Sequence, residues 1–599
     1  MKAMRKTGIL ILAALLLSAC LKEYQDTSFI PQQAVMSWSE PSKTVSNDAS
    51  TFEVTIHSNL PWRASSTVSW MSISPRRGEG DAVITVKVAK NRTVEVRTGE
   101  IRAVVTEDQF CTFTVEQESS EGGEATIYYV RTDGSAEASG LSWANATTLA
   151  NAIDQCADGD AIYVAAGTYS PTVFLENSDE TDECNKTFQI HSNFLIQGGF
   201  PAGADDGSFD AAADYDPSSN VTVLSGDIDE SHKAYHVVTV TSAKVEGKKA
   251  VIKGFTITGG KSFKAPKEED EVNFDVGGIS YNTAYGGGLV TGTSIVDVED
   301  CIITGNVAGN HAAGVYLKPD GIVSMENCRI ISNESNLNAG GIWNCGATLY
   351  MNHCTVADNI AAQQAAGFYS INSDSRPSVS RIYNTTFSGN DNTMFNAGRS
   401  GGGAYIRELS DAVFVNCTFY GNKAGNGGAI QGYGSNGKNS KLTMIGCTIT
   451  GNSATLLGGG ISLWNNYNTT NLYNCIVSGN ECAAGPDIGI GSAIGTNTPN
   501  MFYETTIVGD KLYSTTGSAI SGWTFDAATM LSEPGFWGGR TQTVTLVESE
   551  ANPACSQGMT KEAMVTLGAG FTPAVDAAVF NTDQRGVERT KNTIGSTTL

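Results

Sequence analysis

A nine-residue phrase recurs seven times in the second half of this chain, and a repeat of that kind constrains the fold more than any other feature. It reads VEDCIITGN at 298–306, MENCRIISN at 325–333, MNHCTVADN at 351–359, IYNTTFSGN at 382–390, FVNCTFYGN at 414–422, MIGCTITGN at 444–452 and LYNCIVSGN at 472–480. The fourth residue of the phrase falls at 301, 328, 354, 385, 417, 447 and 475, so the period is 26 to 32 residues. A second phrase, Gly-rich and then apolar, lies between the copies: GGGL at 286, AAGVYL at 312, AGGIWN at 339, AAGFYS at 365, GGGAYI at 401, GGAI at 427 and GGGISL at 458. Repeats of this length form arrays in which each unit buries its apolar face only against its neighbours.

The units hold short alternating runs of Ile, Val, Thr, Phe and Tyr broken by Gly-Asn and Gly-Gly, and no unit has room for an amphipathic helix. One coil per unit, turning at Gly and Asn where the left-handed backbone is tolerated, describes a right-handed parallel β-helix. Equivalent residues then stack about 4.8 Å apart, so the Cys and Asn columns are ladders. Six of the 13 cysteines (301, 328, 354, 417, 447, 475) share one column. Stacked neighbours have parallel Cβ vectors at the strand spacing, too far apart for a disulfide, so they read as buried thiols.

The paired GG-A/I/L and N-x-[TS]-x-x-x-N phrases resemble those of chlamydial polymorphic membrane proteins and of bacterial surface β-helix proteins. IKGFTITGG at 252–260 resembles the DGFTITGG coil of that group, with Lys253 where Asp is common. NPACSQG at 552–558 and DQRG at 583–586 resemble the ending of choice-of-anchor proteins, read here as a terminal closure.

At the other end, Lys2, Arg5 and Lys6 precede an apolar run, Ile9–Leu17, too short to span a membrane. Leu17-Ser-Ala-Cys20 resembles the lipobox of bacterial lipoproteins, which implies cleavage before Cys20 and acylation of that residue; Leu21-Lys22-Glu23 resembles a surface-export signal of Bacteroidetes lipoproteins. The implied location is the outer membrane, facing outward. LPW at 60–62, SWMSIS at 69–74, GEG at 78–80 and RTGEI at 97–101 resemble the BACON domain, an immunoglobulin-like β-sandwich whose name records carbohydrate binding. Trp62 and Trp70 would then be either a sugar platform or sandwich core.

The organisation expected is all-β: signal peptide 1–19, lipidated tether 20–32, sandwich 33–117, linker 118–126, β-helix 127–545 and closing segment 546–599. The helical spacing of LANAIDQC at 149–156 predicts a short helix that covers the open end of the first coil. A formal charge of −24 with no basic run after residue 6 argues against nucleic acid as a partner.

Parallel β-helices also host polysaccharide lyases and hydrolases, which need clustered Asp, or a Lys or Arg base beside calcium. The acids and bases of the repeats (His311, Lys318 and Asp320; His353 and Asp358; Arg407, Glu408 and Asp411) form no recurring pair. The Asp-rich stretch 205–216 lacks the alternating pattern of a calcium loop, so no cofactor is expected, calcium being the one worth testing. Tyr316, Trp343, Tyr369 and Tyr405 occupy one position in four successive units. Inward-facing Val315, Ile342, Phe368 and Ala404 would put these rings outside in a column that a glycan chain could follow. The reading is a monomeric, non-catalytic surface lipoprotein that binds glycan or a host surface; the alternatives are a lyase or hydrolase and a passive spacer.

Overall fold

The computed structural model describes residues 34–599 except 69, 92–94, 107, 121–124, 264–271, 394–399, 465–466, 492–499 and 515–517. Cys20 and the signal lie outside the described residues.

The N-terminal unit is a β-sandwich. One sheet carries the strands Met36–Trp38, Ser50–Ser58, Ala82–Val88 and Met71–Ser74; the other carries Ser42–Val45, Gln109–Gln117, Arg97–Thr106, Pro61–Ser66 and Arg77–Glu79. Alternate residues such as Val54, Ile56, Ile84, Val86, Ile101, Phe113 and Val115 point between the sheets and make the core.

From Ile127 onward three long sheets of 12, 13 and 10 strands run side by side, built from parallel pairings between successive coils. The first sheet's 12 strands count one per coil. Val298, Cys301, Ile303, Met325, Cys328, Ile330, Phe414 and Cys417 lie in one continuous core with the first apolar residue after each Gly pair. The predicted helix, Leu149–Gln155, is capped by the Thr148 hydroxyl, and its Leu149, Ala152 and Ile153 join that core.

Two side-chain ladders run through the regular coils, from Cys301 to Asp487. Each Asn of the repeat phrase donates from Nδ2 to Oδ1 of the Asn one coil on: Asn306 to Asn333, Asn359, Asn390, Asn422, Asn452 and Asn480 in turn, at 2.8–3.0 Å. Asp487 ends the series by accepting from Asn480 at 2.9 Å. The cysteine column is inside: Cys328 Sγ donates to Val298 O at 3.3 Å and Cys354 Sγ to Met325 O at 3.4 Å. The thiols are unbridged, and burial pushes that of Cys301 up to about 12. On the outside, the residue before each Cys turns the tight corner between the first and second sheets. Asp300, Asn327, His353, Asn384, Asn416 and Asn474 all hold φ between 48° and 57° there, the left-handed region that suits Asn and Asp.

The C-terminal stretch packs on the last coil, where Leu546, Ala554 and Ile594 share a cluster with Ile507 and Leu512. It returns along the flank of coils 381–476, where Phe580, Val575 and Met564 cover Val413, Val415 and Ile445. Arg381, fully buried, donates to Pro573 O at 3.0 Å and Thr572 O at 2.7 Å, and Gly595 N donates to Asn474 O at 2.9 Å. We call this stretch the strap.

The sandwich meets the first coils through a basic-to-acidic seam: Arg77 with Asp179 at 2.7 Å, Lys87 with Asp154 at 2.9 Å, and Arg76 Nη1 donating to Leu175 O at 3.0 Å. Glu176 is buried beside this seam. Burial pushes its carboxyl up to about 7, against the opposing pull of Arg76. The sign follows directly. An unfolded Glu ionises from about 4.3 upward while the folded one holds its proton, so the fold is fully stable below that pH and loses stability as pH rises to about 7. Between pH 5 and 8 the loss from this residue is about 2–3 kcal/mol. Glu176→Gln is expected to remove that slope, raising the chemical-denaturation midpoint at pH 8 and leaving it unchanged at pH 4; equal midpoints at pH 8 would contradict it.

Candidate functional site

The aromatic column forms in the expected register: Tyr316, Trp343, Tyr369 and Tyr405 pair in sequence across adjacent strands. Val315, Ile342, Phe368 and Ala404 point into the core, so the four rings do lie outside the coil. They are not an open platform. Centroids are 5.3, 5.7 and 5.5 Å apart with interplanar angles near 30°, so each face meets the next ring. Tyr316, Tyr369 and Tyr405 are only 7%, 2% and 5% exposed. The physical reason is the strand spacing itself, which is close to the thickness of a stacked ring pair and leaves no gap for a sugar. Arg407 closes the strip by donating to the Tyr369 hydroxyl at 3.0 Å.

Of the two readings for the sandwich tryptophans, the structure has the core one. Trp62 is 2% exposed, lies in the core and donates its indole N–H to Gly80 O at 2.9 Å. Trp70 is half-buried, with the Arg97 guanidinium 4.3 Å over its ring. Neither offers a free face.

The other sequence candidates have local partners. Asp320 pairs with Arg376 at 3.1 Å, Asp411 with Arg381 at 3.3 Å, and Arg407 lies beside Glu408. Lys318 is buried against the rings of Tyr281 and Tyr316, and burial lowers its ammonium to about 8. In the 205–216 loop three Asp residues serve the loop's own turns: Asp205 accepts from Gly207 N, Asp210 from Ala212 N, and Asp216 from Ser218 N and Oγ. Those bonds hold Asp216 down to about 2. Asp206 caps the turn at Trp143. These carboxylates diverge, and among the described residues no three His, Cys, Asp or Glu side chains gather as metal ligands.

One stretch of the outer surface is different. Along the tight corner the 201–220 loop covers the early coils, with the Tyr215 hydroxyl on Asp300 at 2.8 Å. The strap covers the later ones, burying every outward residue from Arg381 to Thr386. Between these covers, coils 295–304, 322–331 and 348–357 carry outward side chains that, Ala357 apart, are half-buried or exposed. We call this open span the saddle. Its floor mixes the polar side chains of Glu299, Glu326, Asn327, Arg329, His353 and Thr355 with half-buried Ile302 and Ile331. His353 Nδ1 lies 3.0 Å from Glu326 Oε1 of the preceding coil, and Asn327 Nδ2 donates to Asp300 at 2.7 Å.

The strap forms the far wall. Its hairpin pairs Leu531 with Leu546 and Gly535 with Thr543. Thr541 bonds Asn384 O at 3.4 Å and Thr543 bonds Thr418 at 2.8 Å one coil further on. The chain thus advances one coil from 541 to 543, which places the tip 536–540 toward the open coils. At that tip Phe536 and Trp537 are 68% and 48% exposed. The Trp537 indole N–H is tied back to Glu533 O at 3.2 Å, so the ring is oriented while much of its surface stays open.

Sequence reasoning did not find this site. Glu326 and His353 lie in different repeats, and the strap carries no repeat that would place it. One signal was available: His353 stands where five other units have Asn or Asp.

The fold and this surface define a class: a β-sandwich joined to a parallel β-helix with one flank strapped and one span left open. Residues 60–118 match the BACON family, described as "Putative binding domain, N-terminal", and residues 314–507 match the family described as a right handed beta helix region. No curated protein sequence matches. Among solved structures, the chain is similar to a pectate lyase at 12% identity, covering 68% of this chain and 85% of that one with a TM-score of 0.37. It is similar to a rhamnogalacturonan lyase at 12% identity, covering 64% and 87% with a TM-score of 0.30. A Bacteroides ovatus xyloglucanase in complex with a heptasaccharide matches at 16% identity over 31% of this chain and 39% of that one, with a TM-score of 0.14. Likenesses of this strength say nothing about activity.

Proposed function

We propose that the protein is a non-catalytic, lipid-anchored surface protein that binds an extended glycan across the saddle. The observation that supports this reading is the exposed Phe536–Trp537 pair beside an open polar floor. A sugar ring presents an apolar C–H face and a hydroxyl edge, and a site of this composition suits both, the aromatic wall one and the polar floor the other. The anchor at Cys20 and the outward-facing outer-membrane location rest on the lipobox resemblance. No cofactor is part of the proposal.

The test is affinity electrophoresis of the full-length chain in detergent through gels containing plant, host and bacterial polysaccharides. Retardation by a glycan that remains intact, weakened at least fivefold by Trp537→Ala, is the expected result. A second reading, a depolymerase, is favoured by the His353–Glu326 pair and Arg329 on the saddle floor; shortening of the retarding glycan, abolished by His353→Ala, would establish it in place of the first.

A further inference from the structure

The saddle also indicates which glycans it takes. Eight described arginines lie from Arg131 onward. Six are engaged within the protein: Arg376, Arg381, Arg407 and Arg585 lie beside carboxylates, and Arg131 and Arg589 bond carbonyl or amide oxygens. The remaining two, Arg329 and Arg540, are exposed and have no side-chain hydrogen bond or ion pair among the described residues. Arg329 stands on the saddle floor, and Arg540 ends the tip that carries Phe536 and Trp537, next to Thr541 on the bordering coil.

Three acids of the floor are already engaged. Glu299 pairs with Lys253 at 3.0 Å, Glu326 with His353 at 3.0 Å, and Asp300 accepts from both Tyr215 and Asn327. In a chain of net charge −24, two guanidinium groups without a carboxylate on one open span are the exception. Arg329, Thr355 and Thr386 align on successive strands, so Arg329 and the Thr386 anchorage of the strap are two strand spacings, about 10 Å, apart. A guanidinium offers a planar fork that fits a carboxylate with two parallel N–H bonds, a fit that an ammonium or a hydroxyl does not reproduce.

We infer that the ligand of the saddle is a carboxylate-bearing glycan, its acid groups received by Arg329 and Arg540. This rests on the glycan reading above and narrows it to a substrate class. The experiment is affinity electrophoresis of the full-length chain against polygalacturonate, alginate, hyaluronan and polysialic acid, each run beside its carboxyl-reduced form. Neutral xyloglucan and mannan and sulfated dextran are run in parallel. The expected result is retardation by at least one acidic polymer, lost at least tenfold on carboxyl reduction. Arg329→Gln and Arg540→Gln should each weaken it several-fold, with Arg329→Lys recovering less than half of the loss because the fork is gone. Both side chains are exposed, so these variants keep the fold, which an unchanged thermal midpoint checks. Retardation by neutral or sulfated polymers that neither Gln variant alters would overturn the carboxylate inference and leave the glycan reading standing. No retardation by any polymer would remove both.

Discussion

Replacing Asn390 by leucine is expected to cost the fold about 4 kcal/mol, one of the two largest losses we foresee from a single substitution. Asn390 is fully buried and sits mid-ladder. Its Oδ1 accepts from Asn359 N at 3.2 Å and Asn359 Nδ2 at 3.0 Å, and its Nδ2 donates to Val356 O at 2.8 Å and Asn422 Oδ1 at 2.9 Å. Leucine fills nearly the same volume, so little cavity forms, but four polar groups lose a partner away from water, of which Asn422 Oδ1 keeps Asn390 N and Asn359 Nδ2 keeps Ile330 O. Each costs about 1–3 kcal/mol when stranded, less what local relaxation recovers. Guanidinium denaturation followed by far-ultraviolet circular dichroism is the measurement. A loss below 1 kcal/mol would mean that the ladder is incidental to stability.

Arg381→Ala is expected to free the strap. The side chain is completely buried, donates to four backbone carbonyls (Ser380, Asp411, Thr572 and Pro573) and touches the Asp411 carboxylate. Truncation strands those carbonyls and leaves Asp411 unpaired, a change worth about 3–5 kcal/mol for a buried charged network. Much of that cost falls on one local contact, so it should appear as detachment of the strap rather than global melting. Limited proteolysis should cut within 546–580 many times faster than in the parent while the coils stay resistant. Parent-like resistance in that stretch would show that the apolar contacts of Phe580 and Val575 suffice without the arginine.

The array was legible because its information is local and repeated. Each unit carries its own Gly corner, Cys and Asn, and the ladders follow once units stack at the strand spacing. The helix at Leu149–Gln155 was legible for the same reason, from spacing within seven residues. The side-chain parity at Tyr316, Trp343, Tyr369 and Tyr405 was also readable, but the openness of those rings was not, since it depends on what each ring meets on the next coil. The saddle needed two things that no short window holds: the meeting of Glu326 with His353 across a coil, and the path of a non-repetitive tail laid along the array's side. Trp62 shows the same limit in the sandwich, where the residue type alone fits core or platform and only the facing sheet decides.

The strap gives the array a measured length in one place and freedom in another. Arg381, Asn384, Asn416 and Asn474 are fixed points on it, each matched to a particular place on the tail. Removing a whole coil between the first and last of these would put every later fastening out of step by one strand spacing. A coil removed from the uncovered span before residue 379 would leave each fastening matched and the Asn ladder continuous, because one Asn of the series presents the same donor and acceptor as the next. The tail therefore acts as a ruler for the coils beneath it. Gain or loss of units is confined to the stretch that bears the saddle, so the width of the saddle can change between variants of this architecture without any change in how the chain ends.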